Sequence, residues 1–138
     1  MVADKTIIDI AKEIRSYTTI CDSTLSEHLS KLALKRKEEL VTRAEKIAKT
    51  NIEIMKRWVE KRDDVHWVPP EGSLVTFPRF NRNITSTELC TLLAEDYKVF
   101  VAPGKCFDIE SHFRIGFGWS TDELREGLEY VGRALDRF

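Results

Sequence analysis

The sequence predicts an α+β fold in which a small antiparallel or mixed sheet carries helices packed on one face, preceded by a long connecting helix and two shorter helices. Three observations predict it. Apolar side chains recur at threes and fours along the first 62 residues, and no Gly or Pro interrupts the pattern over 35–62. From Val65 the texture changes to short runs of Val, Phe and Thr separated by Pro and Gly. Leucine stripes with helix-start signals then recur between those runs, giving the order strand, strand, helix, strand, strand, helix.

Each element follows in turn. Asp4 is placed to cap a helix bearing Ile7, Ile8, Ala11 and Ile14 on one face, ended by the turn-favouring run Ser16-Tyr17-Thr18-Thr19. Thr24 with Glu27 forms a capping-box pattern before Leu25, Leu29 and Leu32. Over 35–62, Val41, Ala44, Ala48, Ile52, Met55 and Val59 mark a long amphipathic helix, which at 1.5 Å per residue would span on the order of 40 Å and so would join or brace two bodies. Its stripe is not a strict heptad, which argues against a dedicated coiled coil. Val65-His66-Trp67-Val68 and Leu74-Val75-Thr76-Phe77 read as strands around Pro69-Pro70-Glu71-Gly72. Thr85 and Glu88 form a second capping box before Leu89, Leu92 and Leu93; the strand Val99-Phe100-Val101 follows and is broken by Pro103-Gly104. Phe113 to Phe117 alternates, with Phe113, Ile115 and Phe117 on one face and Arg114 on the other. Ser120 and Glu123 cap a last helix whose stripe is Leu124, Leu128, Val131 and Leu135. Met1-Val2-Ala3 reads as the tail of a strand, so the chain is expected to start within a domain.

Composition narrows the function classes. Apolar residues make up 42% and charged residues 33% of 138 residues, which fits a folded soluble domain and argues against disorder. No apolar run approaches the roughly 20 residues of a membrane span, and the first twelve residues carry charge where a signal peptide would be apolar, so the expected location is cytoplasmic. Lys and Arg number 14 against 10 acids through Arg62 and 8 against 13 beyond it. The two signs are interleaved along helices, so nucleic acid is not an expected partner. Cys21, Cys90 and Cys106 are far apart and lack metal-ligand spacing, as do His28, His66 and His112. No metal site, nucleophile motif, Gly-rich phosphate loop or paired catalytic carboxylate is predicted.

Three stretches carry a resemblance: Trp67-Val68-Pro69-Pro70-Glu71-Gly72-Ser73, then Val99-Phe100-Val101-Ala102-Pro103-Gly104 with Phe107 beyond it, then His112-Phe113-Arg114-Ile115-Gly116-Phe117. In order and spacing they resemble the small domain of class I/II aminotransferases of the fold-type I pyridoxal-phosphate superfamily. Met1-Val2-Ala3-Asp4 and the next helix resemble the segment that family places shortly after its Schiff-base lysine. The resemblance implies a division into residues 1–34, the helical tail end of a large cofactor-binding domain; 35–62, a connecting helix; and 63–138, the small domain. It also implies a homodimeric parent that transfers an amino group between an amino acid and a 2-oxo acid. The parent's cofactor would be pyridoxal phosphate, the electron sink of the reaction. The Schiff-base lysine, the acidic partner of the pyridine nitrogen and the phosphate cradle have no counterpart motif here, so no catalytic or cofactor-binding residue is assigned, and the isolated chain is expected to be inactive.

Arg114 is the candidate site residue. From alternation alone it would be an ordinary strand arginine paired with an acid such as Glu110; the motif reverses that reading, because its family position supplies the guanidinium that binds the substrate α-carboxylate. Arginine suits the task, since a planar fork donating two parallel hydrogen bonds fixes a carboxylate's orientation where lysine offers a point charge. Lys105-Cys106-Phe107-Asp108 departs from the smaller residues common in the family after the Pro-Gly pair, which leaves substrate preference open. Arg15 and Tyr17 lie where the family brings a segment toward the partner's active site, but a solvated helix end is the simpler reading. Carbon-sulfur lyases and decarboxylases share the scaffold. The alternative to all of this is a free-standing α+β ligand-binding or dimerisation module without catalysis.

Overall fold

Local capping and period decide the helices of the computed structural model, which describes residues 3–19, 21 and 23–138. The expected strand tail at Met1 and Val2 lies outside the described residues. The chain divides into two units, Met1–Val41 and Thr42–Phe138, with the boundary inside a helix.

In the first unit, α1 (Lys5–Thr18) begins where the Asp4 carboxylate accepts the Thr6 backbone N–H at 2.9 Å, as its sequence predicts. The helix ends within the expected run, at Thr18 with Thr19 as its cap residue, although Ser16 and Thr18 are themselves still helical. Their hydroxyls turn back on the last turns, Ser16 donating to the Lys12 carbonyl at 3.0 Å and Thr18 to the Ile14 carbonyl at 3.1 Å. α2 (Thr24–Lys35) starts one residue earlier than the capping-box reading: Ser23 is the extended cap residue, at φ −63° and ψ 126°, and Thr24 is already helical. Two adjacent hydroxyl residues both suit a cap, and the backbone turn falls at the first. Neither α1 nor α2 buries a residue.

α3 (Lys37–Glu60) is the long helix; Lys35 closes α2 rather than opening it, and Arg36 separates the two. In the second unit α3 buries Asn51 and Met55. The strands are short and all their pairings antiparallel. β1 (Val65–His66) pairs with β3 (Arg79–Phe80), while β2 (Val75–Thr76), β5 (Phe113–Gly116) and β4 (Ala102–Pro103) form a three-stranded sheet with β5 at its centre. Sequence reading missed β3, because Pro78 interrupts the apolar run before it. It also placed β4 too early. Lys98 takes a left-handed conformation, φ 57°, and the Val99 N–H returns to the Leu93 carbonyl at 3.0 Å, so the chain is still closing the preceding helix where a strand was expected. Pro103 pairs instead of breaking the strand, as a proline can on a sheet edge.

α4 (Ser86–Asp96) has the predicted capping box between Thr85 and Glu88, and α5 (Thr121–Leu135) begins where Ser120 accepts the Glu123 N–H. α5 buries the predicted stripe of Leu124, Leu128, Val131 and Leu135. These side chains pack with Leu89 and Leu93 of α4, Met55 of α3, and Phe80, Phe113, Ile115 and Phe117 into one core. The α+β class is as the sequence predicts. No helix among the described residues is long and apolar enough to cross a membrane.

Candidate functional site

Alternation on β5 positions the site. Phe113 and Ile115 face the core while Arg114 and Gly116 face outward. The two inward side chains lock the register, so the face presented by Arg114 cannot slip without exposing two large apolar groups. Arg114 pairs with Ala102 of β4, and Gly116 with Val75 of β2, so the arginine stands on the central strand with a neighbour on either side.

The chain leaving β4 turns at Gly104, opening a short 3-10 helix (Gly104–Phe107). The Gly104 N–H donates to the His112 carbonyl at 2.8 Å, and the Gly104 carbonyl accepts the Ile109 N–H at 3.1 Å. A Cβ here would run into the Ile109 carbonyl oxygen and lie 2.8 Å from that of His112, so glycine is required by close backbone approach rather than by its torsions. Asp108 and Ser111 complete the turn in left-handed conformations, φ 57° and 58°. Such geometry is costly for residues with side chains and persists only where surroundings enforce it.

That turn delivers Phe107 to Arg114. The guanidinium carbon lies 5.3 Å from the centre of the Phe107 ring, within cation–π range. Behind it, Phe77 meets Phe107 edge to face at 5.4 Å and stacks on His112 at 5.1 Å. His112 shares a 2.8 Å hydrogen bond between Nδ1 and the Glu110 carbonyl.

Glu110, the acid an ordinary strand arginine would have used, is occupied elsewhere. Its carboxylate accepts the Ser86 N–H at the start of α4, at 3.1 Å, and this bond to the backbone holds the carboxyl below the usual range. Ser86 in turn accepts the Lys105 N–H at 3.2 Å. Among the described residues, the Arg114 side chain has no hydrogen-bond or ion-pair partner, and its exposed fork is open to an incoming anion. Sequence reasoning singled out Arg114, named Phe107 only within a resembling stretch, and missed the Ser86–Glu110 anchor and the Phe77–His112 stack, since each joins residues more than twenty positions apart and no local signal marks them.

The chain matches the model of aminotransferase class I and II over residues 1–131. It belongs to that family. Among its relatives, capreomycidine synthase of Streptomyces vinaceus is 29% identical over 135 residues, covering 97% of this chain and 35% of that protein. Aspartate aminotransferase of Rhizobium meliloti is also 29% identical, covering 90% of this chain and 33% of that protein. A pyridoxal-phosphate-dependent aminotransferase from Streptococcus suis superposes with a TM-score of 0.90 at 27% identity, covering 99% of this chain and 37% of that one. The chain thus spans about a third of the length of the relatives it matches.

Relatives described as pyridoxal-phosphate-dependent raise the question of whether this chain can hold that group. A lysine that forms a Schiff base works as a neutral amine, a state favoured in enclosed surroundings. Every lysine of this aminotransferase-family chain is exposed, so the chain by itself encloses none of them as that role requires. Nor does any group of three or more His, Cys, Asp or Glu side chains among the described residues form a possible metal site. Arg15 and Tyr17 lie on α1 in the first unit, Tyr17 with its ring exposed.

Proposed function

We propose that this chain is the C-terminal part of a longer pyridoxal-phosphate-dependent aminotransferase, to which it contributes the arginine that binds the substrate's α-carboxylate. Residues 1–34 are the end of the large domain, 35–62 the connecting helix and 63–138 the small domain. The lysine and the phosphate cradle belong to the remainder of the protein, which is a cytoplasmic homodimer acting on an amino acid and a 2-oxo acid. Alone, the chain has no transaminase activity.

The observation that supports this reading is the state of Arg114: it projects from the central strand, rests on an aromatic ring and is left open because Glu110 is turned to the start of α4. A bidentate arginine fixes the plane of a carboxylate and so holds the amino acid in a set orientation in both ground and transition states. In the full-length enzyme, Arg114→Ala should lower kcat/KM for amino acids by on the order of 100-fold, chiefly through KM, because two charge-assisted hydrogen bonds are lost. Arg114→Lys should recover only part of that loss. An unchanged KM in Arg114→Ala rules the role out. Relatives described as a synthase and as an aminotransferase stand side by side here, so the reaction is tested in the same experiment by whether 2-oxo acid accumulates with amino-group transfer.

A further inference from the structure

Arginine side chains carry four flexible torsions, so an exposed one that must meet a carboxylate in a fixed plane loses much of its rotamer freedom when it binds. The structure supplies a device that removes this freedom beforehand. Phe107 is 42% exposed, which is too open for a core residue, and its ring has neighbours on two sides. One is Phe77, edge to face at 78° and 5.4 Å; the other is the Arg114 guanidinium at 5.3 Å. Phe77 is fixed in turn by His112, stacked at 5.1 Å and 20°.

We propose that Phe107 is a positioning residue for Arg114: its ring, held by the Phe77–His112 stack, keeps the guanidinium in the orientation that receives the substrate carboxylate. A cation resting on a ring is held by the ring's quadrupole and requires no hydrogen-bond acceptor, so the N–H groups stay available. A carboxylate partner would hold the arginine equally still but would occupy the fork. The turn that delivers Phe107 is correspondingly enforced, by the close approach at Gly104, by left-handed Asp108 and Ser111, and by the tie from Lys105 to Ser86. Tight geometry around an exposed aromatic ring is hard to explain by core packing alone.

The inference rests on the carboxylate-binding reading of Arg114, and the test separates the two. In the full-length enzyme loaded with pyridoxal phosphate, the half-reactions with L-aspartate, L-alanine and L-phenylalanine are followed for the wild type, Phe107→Leu, Phe107→Tyr and Arg114→Ala. Phe107→Leu should raise the apparent dissociation constant of each reactive amino acid roughly three- to thirty-fold, the range a partly exposed cation–π contact supports, while the saturating rate stays within about twofold. Phe107→Tyr, which keeps the ring, should bind as the wild type does. If Arg114→Ala weakens binding but Phe107→Leu does not, the positioning role is overturned and the arginine's role stands; if Arg114→Ala itself changes nothing, both fall. A second measurement needs no folded variant. With arginine-selective isotope labelling of the wild type, the Arg114 guanidinium protons should resonate upfield of the other arginines through the ring current of Phe107, and an ordinary shift overturns the proposal.

Discussion

Asn51 shows how a single buried polar group ties the long helix to the end of the central strand. It is fully buried, its amide donates to the carbonyls of Phe117 at 2.8 Å and Trp119 at 3.1 Å, and its oxygen accepts the Thr121 hydroxyl at 2.8 Å. Both amide donors and the oxygen are used across the chain, between residues 66 to 70 positions apart. Asn51→Leu leaves the buried Phe117 carbonyl without a donor, at about 1–3 kcal/mol, and removes the part-buried bonds to Trp119 and Thr121. We expect a total destabilisation of about 2–4 kcal/mol, read as a lower denaturation midpoint with an unchanged slope; a loss under about 1 kcal/mol would mean the carbonyls find other donors. Asp64 is a second such node. Burial pushes its carboxyl upward, but hydrogen bonds from Arg62 at 2.9 Å and Arg82 at 2.8 Å, with their charges, outweigh this and hold it below the ordinary value. A group whose folded value is depressed contributes stability that is complete above its unfolded value and is lost as pH falls through the folded one. Unfolding free energy should therefore decline as pH drops below about 4, and Asp64→Asn should flatten that decline. Titration curves of equal slope would contradict the assignment. Neither residue announced itself in the sequence, because a polar residue on a helix and an acid in a loop look the same whether solvated or buried.

The turn from Gly104 to His112 is the element on which the site depends. Gly104→Ala places a methyl group against two carbonyl oxygens, and the backbone must open to admit it, at a cost of about 1–3 kcal/mol. Because the same turn carries Phe107, the substitution should weaken amino-acid binding as well as lower the melting temperature. A stable variant with wild-type binding would show that the turn can relax without moving the ring. The helix starts were legible beforehand, and for a local reason: Asp4, Thr85 and Ser120 each bond an N–H two or three residues away, so the signal and the structure occupy the same few residues. The strands were less so. A two-residue strand is defined by a partner far along the chain, and nothing within Ala102–Pro103 says that it will pair with Phe113 and Arg114. The alternation of β5 could be read because its inward phenylalanine and isoleucine are large and its outward arginine is charged. Arg114 was singled out by a motif rather than by its surroundings, and the aromatic stack that holds it became visible only in three dimensions.

At the scale of the whole molecule, the two units differ in how they treat apolar surface. The second buries Phe80, Phe113 and Phe117 with leucines from two helices. In the first, Ile7, Ile10 and Ile14 of α1 and Leu25, Leu29 and Leu32 of α2 are all exposed, although each set recurs at helical spacing. An amphipathic stripe of this kind serves a packed interior, and its exposure accords with the proposal that the chain is about a third of a longer enzyme whose remainder covers these helices. Within that enzyme the central claim is that Arg114 receives the substrate's α-carboxylate. The most direct measurement is a crystal structure of the full-length protein with a bound amino-acid analogue. The account predicts both carboxylate oxygens at about 3 Å from the Arg114 guanidinium nitrogens, with the Phe107 ring beneath; a carboxylate held by another cation, with Arg114 beyond hydrogen-bond reach, would contradict it.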